Sequence, residues 1–211
     1  MKNKKILAIL LIVLITSSCY IYFSESEYTR KSPYGHTYTY LIKRDFGFNG
    51  KFVNYSEYME YNFGYPVKGL LNITVTEPEQ QYIVTIFLNN YSVKSVVYIY
   101  NTSIALNANE GERENIYLPF ISNLNVTTIN LLSYNFTNYG ISVITIPAFG
   151  KIKTIHLGYR GTGKIGPSNY NLSINYFYSL NGLLVMSQYI WSSSGPTGEY
   201  YRNITSILIK G

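Results

Sequence analysis

Cysteine, aspartate, histidine and tryptophan are almost missing from this chain of 211 residues. One Cys (Cys19), one Asp (Asp45), two His (His36 and His156) and one Trp (Trp191) are all it has. A lone Cys cannot form a disulfide within its own chain, so the fold must be held by its core. Two histidines 120 positions apart and no Asp-x-Asp loop leave little for a metal centre. A Ser-His-Asp triad would have to recruit Asp45, and no Gly-x-Ser-x-Gly elbow occurs. Charged residues are only 13% of the chain, about half the usual share. The formal net charge of +6 comes partly from Lys2, Lys4 and Lys5, and the other bases are scattered singly. No nucleic-acid footprint is present.

Helical periodicity is missing as well. After the first 24 residues no window of 12 or more repeats at 3.6; apolar and polar residues alternate instead, the mark of half-buried antiparallel strands. The alternation predicts strands near 37–47, 51–59, 68–76, 81–89, 92–100, 114–121, 124–133, 141–147, 151–157, 170–180, 183–191 and 200–209. Asn181-Gly182, between two alternating runs, predicts a tight hairpin. The expected fold is all-β: a single antiparallel β-sandwich of about ten strands with an extended N-terminal tail.

What the chain does have is Tyr (24), Phe (10) and 21 Asn. Strand tyrosines such as Tyr38, Tyr40, Tyr98, Tyr100, Tyr176 and Tyr178 suit either cross-strand packing or a contact surface with a large apolar body and a polar tip. Asn-x-Ser/Thr occurs eight times, at Asn54, Asn72, Asn90, Asn101, Asn125, Asn135, Asn171 and Asn203. That is roughly twice what random placement would give. In "LNITVT", "YNLSINYFY" and "RNITSILI" the Asn and the Ser/Thr share the polar face of an alternating run, so glycans would project from wet strand faces.

The first residues, "MKNKK" followed by "ILAILLIVLI" and "TSS", form a positive region, an apolar stretch and small residues fit for cleavage. The expected organisation is a signal peptide or membrane anchor at 1–24, an extended tail and early strand at 25–47, and a β-sandwich head at 48–211. The chain is expected to leave the cytoplasm, with membrane contact only through the N-terminal segment if it is uncleaved. Cys19 in "ITSSC" resembles a lipoprotein box, but Thr16 stands where Leu, Val or Ile belongs.

"GYRGTGKIG", Gly158 to Gly166, resembles both a phosphate loop and a dinucleotide fingerprint. A Walker loop needs Ser or Thr after the Lys and then a helix; Ile165 and Gly166-Pro167 supply neither. These glycines are expected to form a long inter-strand loop with Arg160 and Lys164 solvated. Paired carboxylates for glycosidase chemistry would have to come from Glu57/Glu60, Glu77/Glu79 or the trio Glu110, Glu112 and Glu114, and the trio, beside Arg113, reads as a solvated turn. No enzyme activity, cofactor or metal is expected.

The Ile/Tyr/Asn-rich strands, few charges, many sequons and Lys-led signal resemble secreted surface proteins of thermoacidophilic archaea. So do "ISVITIPAFGKIKTIHLGY" and "LSINYFYSLNGLLVMSQYIW". Within that group the layout is similar to the subunits of archaeal thread filaments, which pass an N-terminal strand into a neighbour's sheet. That resemblance implies a cell-surface filament built from copies of this chain, with Tyr38, Tyr40 and Ile42 of the strand facing the neighbour's groove. The alternative is a monomeric secreted or membrane-anchored β-glycoprotein that binds a solute or lipid. It predicts an apolar pocket, with residues 37–47 folded into their own subunit.

Overall fold

In the computed structural model the described residues are 32–78, 80–89, 92–100, 104–107, 120–121, 123–131 and 134–211. The fold is all-β and antiparallel, with no helix among the described residues. Twelve strands follow one another: β1 (Thr37–Phe48), β2 (Lys51–Phe63), β3 (Leu70–Thr76), β4 (Gln81–Phe87), β5 (Val93–Tyr100) and β6 (Ile104–Asn107); then β7 (Thr128–Leu131), β8 (Tyr134–Ile146), β9 (Gly150–Ile165), β10 (Ser168–Ser179), β11 (Leu184–Gly195) and β12 (Gly198–Lys210). They make one sheet in the order β6-β5-β4-β3-β2-β1-β12-β11-β10-β9-β8-β7. Each half is a meander, and pairing of the first strand with the last joins the two halves.

The alternation seen in the sequence decides which face is buried. On one face lie Tyr38, Tyr40 and Ile42 of β1, Met59, Tyr61 and Phe63 of β2, Ile174, Tyr176 and Tyr178 of β10, and Ile204 and Leu208 of β12. All belong to one core with Ile73, Val84, Val96, Phe136 and Leu157 from the other strands. A flat sheet could not bury such a face, so this one curls. Val53 of β2 and Ile165 of β9 line the same hollow, although five steps of strand order separate them. In a flat sheet that would be about 24 Å at ~4.8 Å per step. We call the buried side the inner face.

One end of the curl is stoppered. Ile121 donates its backbone N–H to Gly182 O (2.8 Å), Phe120 bridges to Leu183, and Tyr34 packs edge-on against Phe120 at 5.4 Å. Here the expected Asn181-Gly182 turn is found, with Gly182 at φ 89° and its N–H donated to Ser179 O. A Cβ on Gly182 would overlap the carbonyl of Ile121, so the stopper requires glycine twice over, for torsion and for space. At the opposite end Asn49 and Gly50, at φ 48° and 77°, form the β1–β2 hairpin. That hairpin is tied to the β11–β12 turn by Asn49 N–H to Glu199 O (3.0 Å) and Glu199 N–H to Asn49 Oδ1 (2.8 Å).

Several expectations are corrected. Residues 37–48 are not a donated strand: β1 pairs with β2 along one edge and β12 along the other. Tyr38, Tyr40 and Ile42 are buried in the chain's own core, and residues 37–47, expected as an early strand set apart from the head, belong to the head's own sheet. Gly158 to Ile165 are not a loop either; they complete β9, paired residue by residue with β10. The reason is steric. Cβ atoms at Gly158, Gly161 and Gly163 would lie 2.5 Å from Tyr139 Cε2, 2.5 Å from Tyr159 Oη and 2.7 Å from Tyr170 Cε1. None of the three has positive φ. They are strand glycines roofed by tyrosine rings, and only Gly166 (φ 58°) turns the chain. The expected strand at 114–121 falls largely outside the described residues, as do the N-terminal segment 1–24, Asn90, Asn101 and the Glu110–Glu114 trio.

A small second core lies on the outer face. A register shift between Asn138 and Gly140 switches the face of β8. Ile146 and Ile152 of the β8–β9 hairpin then pack with Val185, Met186 and Ile207. Thr154, fully buried, donates its hydroxyl to Ser142 O (3.1 Å) beside them.

Candidate functional site

At the end opposite the stopper the inner face opens into a hollow of about 720 Å³. It is lined by Phe46 and Phe48 of β1, Lys51 and Val53 of β2, Ile165 of β9, Tyr189 and Trp191 of β11, and Tyr200 and Arg202 of β12. The same period of two that builds the core places them there. Phe46 and Phe48 continue the row of Tyr38, Tyr40 and Ile42; Tyr200 and Arg202 continue Ile204 and Leu208. The core rows simply run on past the point where the sheet still covers itself. Two edges also end here without a partner strand among the described residues. β3 pairs β2 only at 60–63, which leaves 51–59 open, and β8 pairs β9 only as far as Gly158.

The walls are aromatic. Phe48 and Tyr200 lie 4.7 Å apart, and Phe46 stacks with Tyr55 at 6.0 Å and 18°. Phe48, Val53, Tyr55 and Ile165 are all exposed on the inner face, an apolar concentration at one mouth and not a scatter of single residues. Arg202 sits among them. Its guanidinium is 5.4 Å from the Phe46 ring centre and 5.8 Å from that of Tyr189, and its Nε is buried with no hydrogen-bond partner. One turn of the pleat deeper, Arg44 binds Glu57 through Nη2 (2.5 Å) and Nε (2.6 Å). Further in, Ser187 and Ser206 face each other across β11 and β12, both buried with unpartnered hydroxyls. Tyr40, at the closed end, reaches across β12 to donate its hydroxyl to Leu184 O at 2.6 Å. Burial raises its pKa well above that of free tyrosine.

Among the described residues the groups weighed for catalysis or metal binding do not meet; Glu79 and the trio Glu110, Glu112 and Glu114 lie outside them. His156 lies on the outer face, stacked on Phe177 at 4.5 Å, with its Nε2 2.9 Å from Asn175 Oδ1. Glu57 and Glu60 of β2 point to opposite faces. Glu77 accepts hydrogen bonds from Tyr82 and Gln80. Among the described residues no three of His, Cys, Asp and Glu gather where a metal ion could be held.

The sequon asparagines sort by face. Asn54, Asn72, Asn135 and Asn171 are exposed on the outer face, and Asn125 is exposed in a loop. Asn203 is also outward but half-buried, its Nδ2 donated to Asp45 Oδ2 at 3.1 Å. None of these six lines the hollow.

The hollow was not anticipated residue by residue. Its signal in the sequence is aromatic alternation that continues through Phe46-Gly47-Phe48 and Tyr189-Ile190-Trp191, beyond the length needed to fill a core.

No family model matches this chain, and no curated protein matches it in sequence. Three solved bacterial structures resemble its sheet. A DUF1329 family protein from Desulfovibrio piger is 11% identical with a TM-score of 0.33, over 82% of this chain and 85% of that one. A protein from Bacteroides fragilis with a YmcC-like fold, described as exported, is 11% identical with a TM-score of 0.30, over 81% and 94%. A domain described as outer-membrane lipoprotein-sorting, from Vibrio parahaemolyticus, is 6% identical with a TM-score of 0.30, over 85% and 86%. At these scores nothing is transferred from them to this chain. The first strand is paired on both edges within its own chain. The resemblance to thread filaments is therefore corrected.

Proposed function

We propose that this chain is an exported β-sheet protein that holds an amphiphile or lipid in the open end of its curled sheet, without catalysing a reaction on it. The observation that carries the reading is the hollow of about 720 Å³ walled by Phe46, Phe48, Tyr189, Trp191 and Tyr200. Its size falls within the usual range for small-molecule sites, and its lining has their character: mostly apolar, with a few placed polar groups. Export rests on the Lys-led apolar N-terminus. N-glycans at the outward sequons would coat the convex side and leave the hollow clear.

Trp191 is the only Trp of the chain and lines the hollow, so its emission reports occupancy directly. Titration with decan-1-ol is expected to shift that emission to the blue and to saturate at one ligand per chain. An emission spectrum unchanged by decan-1-ol and by decanoate alike, up to their solubility limits, would reject the proposal.

A further inference from the structure

We infer that the hollow selects amphiphiles with an anionic head group, and that Arg202 is the residue that reads the charge. This deepens the proposed binding function and rests on it. Arg202 lies on β12 between Phe46 of β1 and Trp191 of β11, its direct cross-strand neighbours. Its guanidinium lies 5.4 Å from the Phe46 ring centre and 5.8 Å from that of Tyr189, so two aromatic faces flank it. Nε is buried and donates to nothing. A buried donor without an acceptor carries a desolvation cost in the empty protein, and a ligand that supplies the acceptor recovers it. A guanidinium presents parallel N–H groups that match a two-oxygen anion, carboxylate or phosphate.

The surrounding charge has the right sign. At the open end the inner face carries Arg44, Lys51 and Arg202 against one carboxylate, Glu57, among the described residues, and Arg44 already holds that carboxylate. Two cationic side chains, Lys51 at the rim and Arg202 in the wall, remain uncompensated. Phe46, Phe48, Val53, Ile165 and Trp191 around them offer only apolar surface. A bound molecule therefore has to bring both a negative group and an apolar tail. A neutral alcohol satisfies the second requirement, and a quaternary ammonium is repelled by the first.

The test compares four ligands with one chain length, decanoate, decyl phosphate, decan-1-ol and decyltrimethylammonium, by Trp191 emission at pH 8. The two anions are expected to bind about tenfold tighter than the alcohol, the size of one added charge-assisted hydrogen bond, and the ammonium weaker than the alcohol. Decanoate against decyl phosphate distinguishes the fatty-acid from the phosphate source of the charge. Arg202→Met keeps the stem length and is expected to bring decanoate to within about twofold of the alcohol, leaving the alcohol's own affinity in place. If the alcohol binds and the anions gain nothing, or if the ammonium binds as well as decanoate, the charge-reading role is overturned while the hollow stands. If no ligand binds, both fail. The ammonium comparison uses the unaltered protein, so the inference is decided even if Arg202→Met does not fold.

Discussion

Gly161→Ala is the perturbation that most sharply tests why β9 is a strand. An alanine Cβ at that position would sit 2.5 Å from Tyr159 Oη, 3.0 Å from Cζ and 3.1 Å from Cε1. The ring cannot swing freely, because Tyr134 and Phe136 hold it at 4.7 and 6.0 Å. Overpacking of this kind costs about 1–3 kcal/mol. Restricting a strand glycine offsets about 0.5–1 kcal/mol by lowering the entropy of the unfolded chain. The net expectation is a destabilisation of about 1 kcal/mol, measured as a lower urea midpoint at unchanged slope. The closest atom is the hydroxyl, so Tyr159→Phe should relieve much of the clash. In a double-mutant cycle the Gly161→Ala cost should shrink by about 0.5–1 kcal/mol when Tyr159→Phe is already in place. Gly163 is the control: the nearest atom to its Cβ is ring carbon Cε1 of Tyr170 at 2.7 Å, so Tyr170→Phe should rescue Gly163→Ala far less. Gly161→Ala as stable as the parent, with no coupling to Tyr159, would refute the roofed-glycine explanation.

Other consequences follow from buried hydroxyls and exposed asparagines. Tyr40→Phe removes the donor to Leu184 O and strands that carbonyl, so urea unfolding should show a loss of about 1–2 kcal/mol. Burial raises the pKa of both Tyr40 and Tyr82 in the folded state. Their contribution is therefore complete below the unfolded value near 10 and falls as pH rises above it. The slope is about 1.4 kcal/mol per pH unit for each tyrosine. Alkaline unfolding that begins above pH 10 and flattens in Tyr40→Phe is the expected titration curve; a curve insensitive to the substitution would contradict it. Ser187→Ala and Ser206→Ala delete hydroxyls that have no partner, so thermal unfolding should show them neutral or stabilising by up to about 1 kcal/mol. A loss above that would mean the hydroxyls are satisfied. Glycopeptide mapping of native material should find sugar on Asn54, Asn72, Asn135 and Asn171 more often than on Asn203, whose amide is engaged by Asp45; preferential occupancy of Asn203 would contradict this ranking.

Period-two alternation was enough to place every described strand but β6 approximately and to identify the apolar face, because a half-buried strand writes its burial directly into residue order. Tyr38, Tyr40 and Ile42 were legible as the inward row of β1. Their partner was not, since alternation says which face is apolar and nothing of which strand pairs beside it; here the last strand of the same chain does. Glycine misled in one place for a definite reason. In β9 it signals close approach of an aromatic ring and not a turn, and no local pattern separates the two. At Gly140 the special torsion is real (φ 83°), but it marks a bulge inside β8, so the strand expected at 141–147 begins at Tyr134. The hollow was hard to delimit because its aromatic residues keep the same alternation as the core rows. Only the curl of the sheet determines where burial ends, at Ile42 on β1 and Ile204 on β12, and the exposed aromatic mouth begins.

The most direct test of the binding reading is quenching of Trp191 by an acyl chain brominated near its midpoint, compared with the same chain unbrominated. Bromine quenches only near contact, so saturable loss of emission with the brominated chain alone is the result expected if the chain lies against Trp191 in the hollow. Equal emission with both chains, or loss that never saturates, would place the ligand elsewhere and contradict the account.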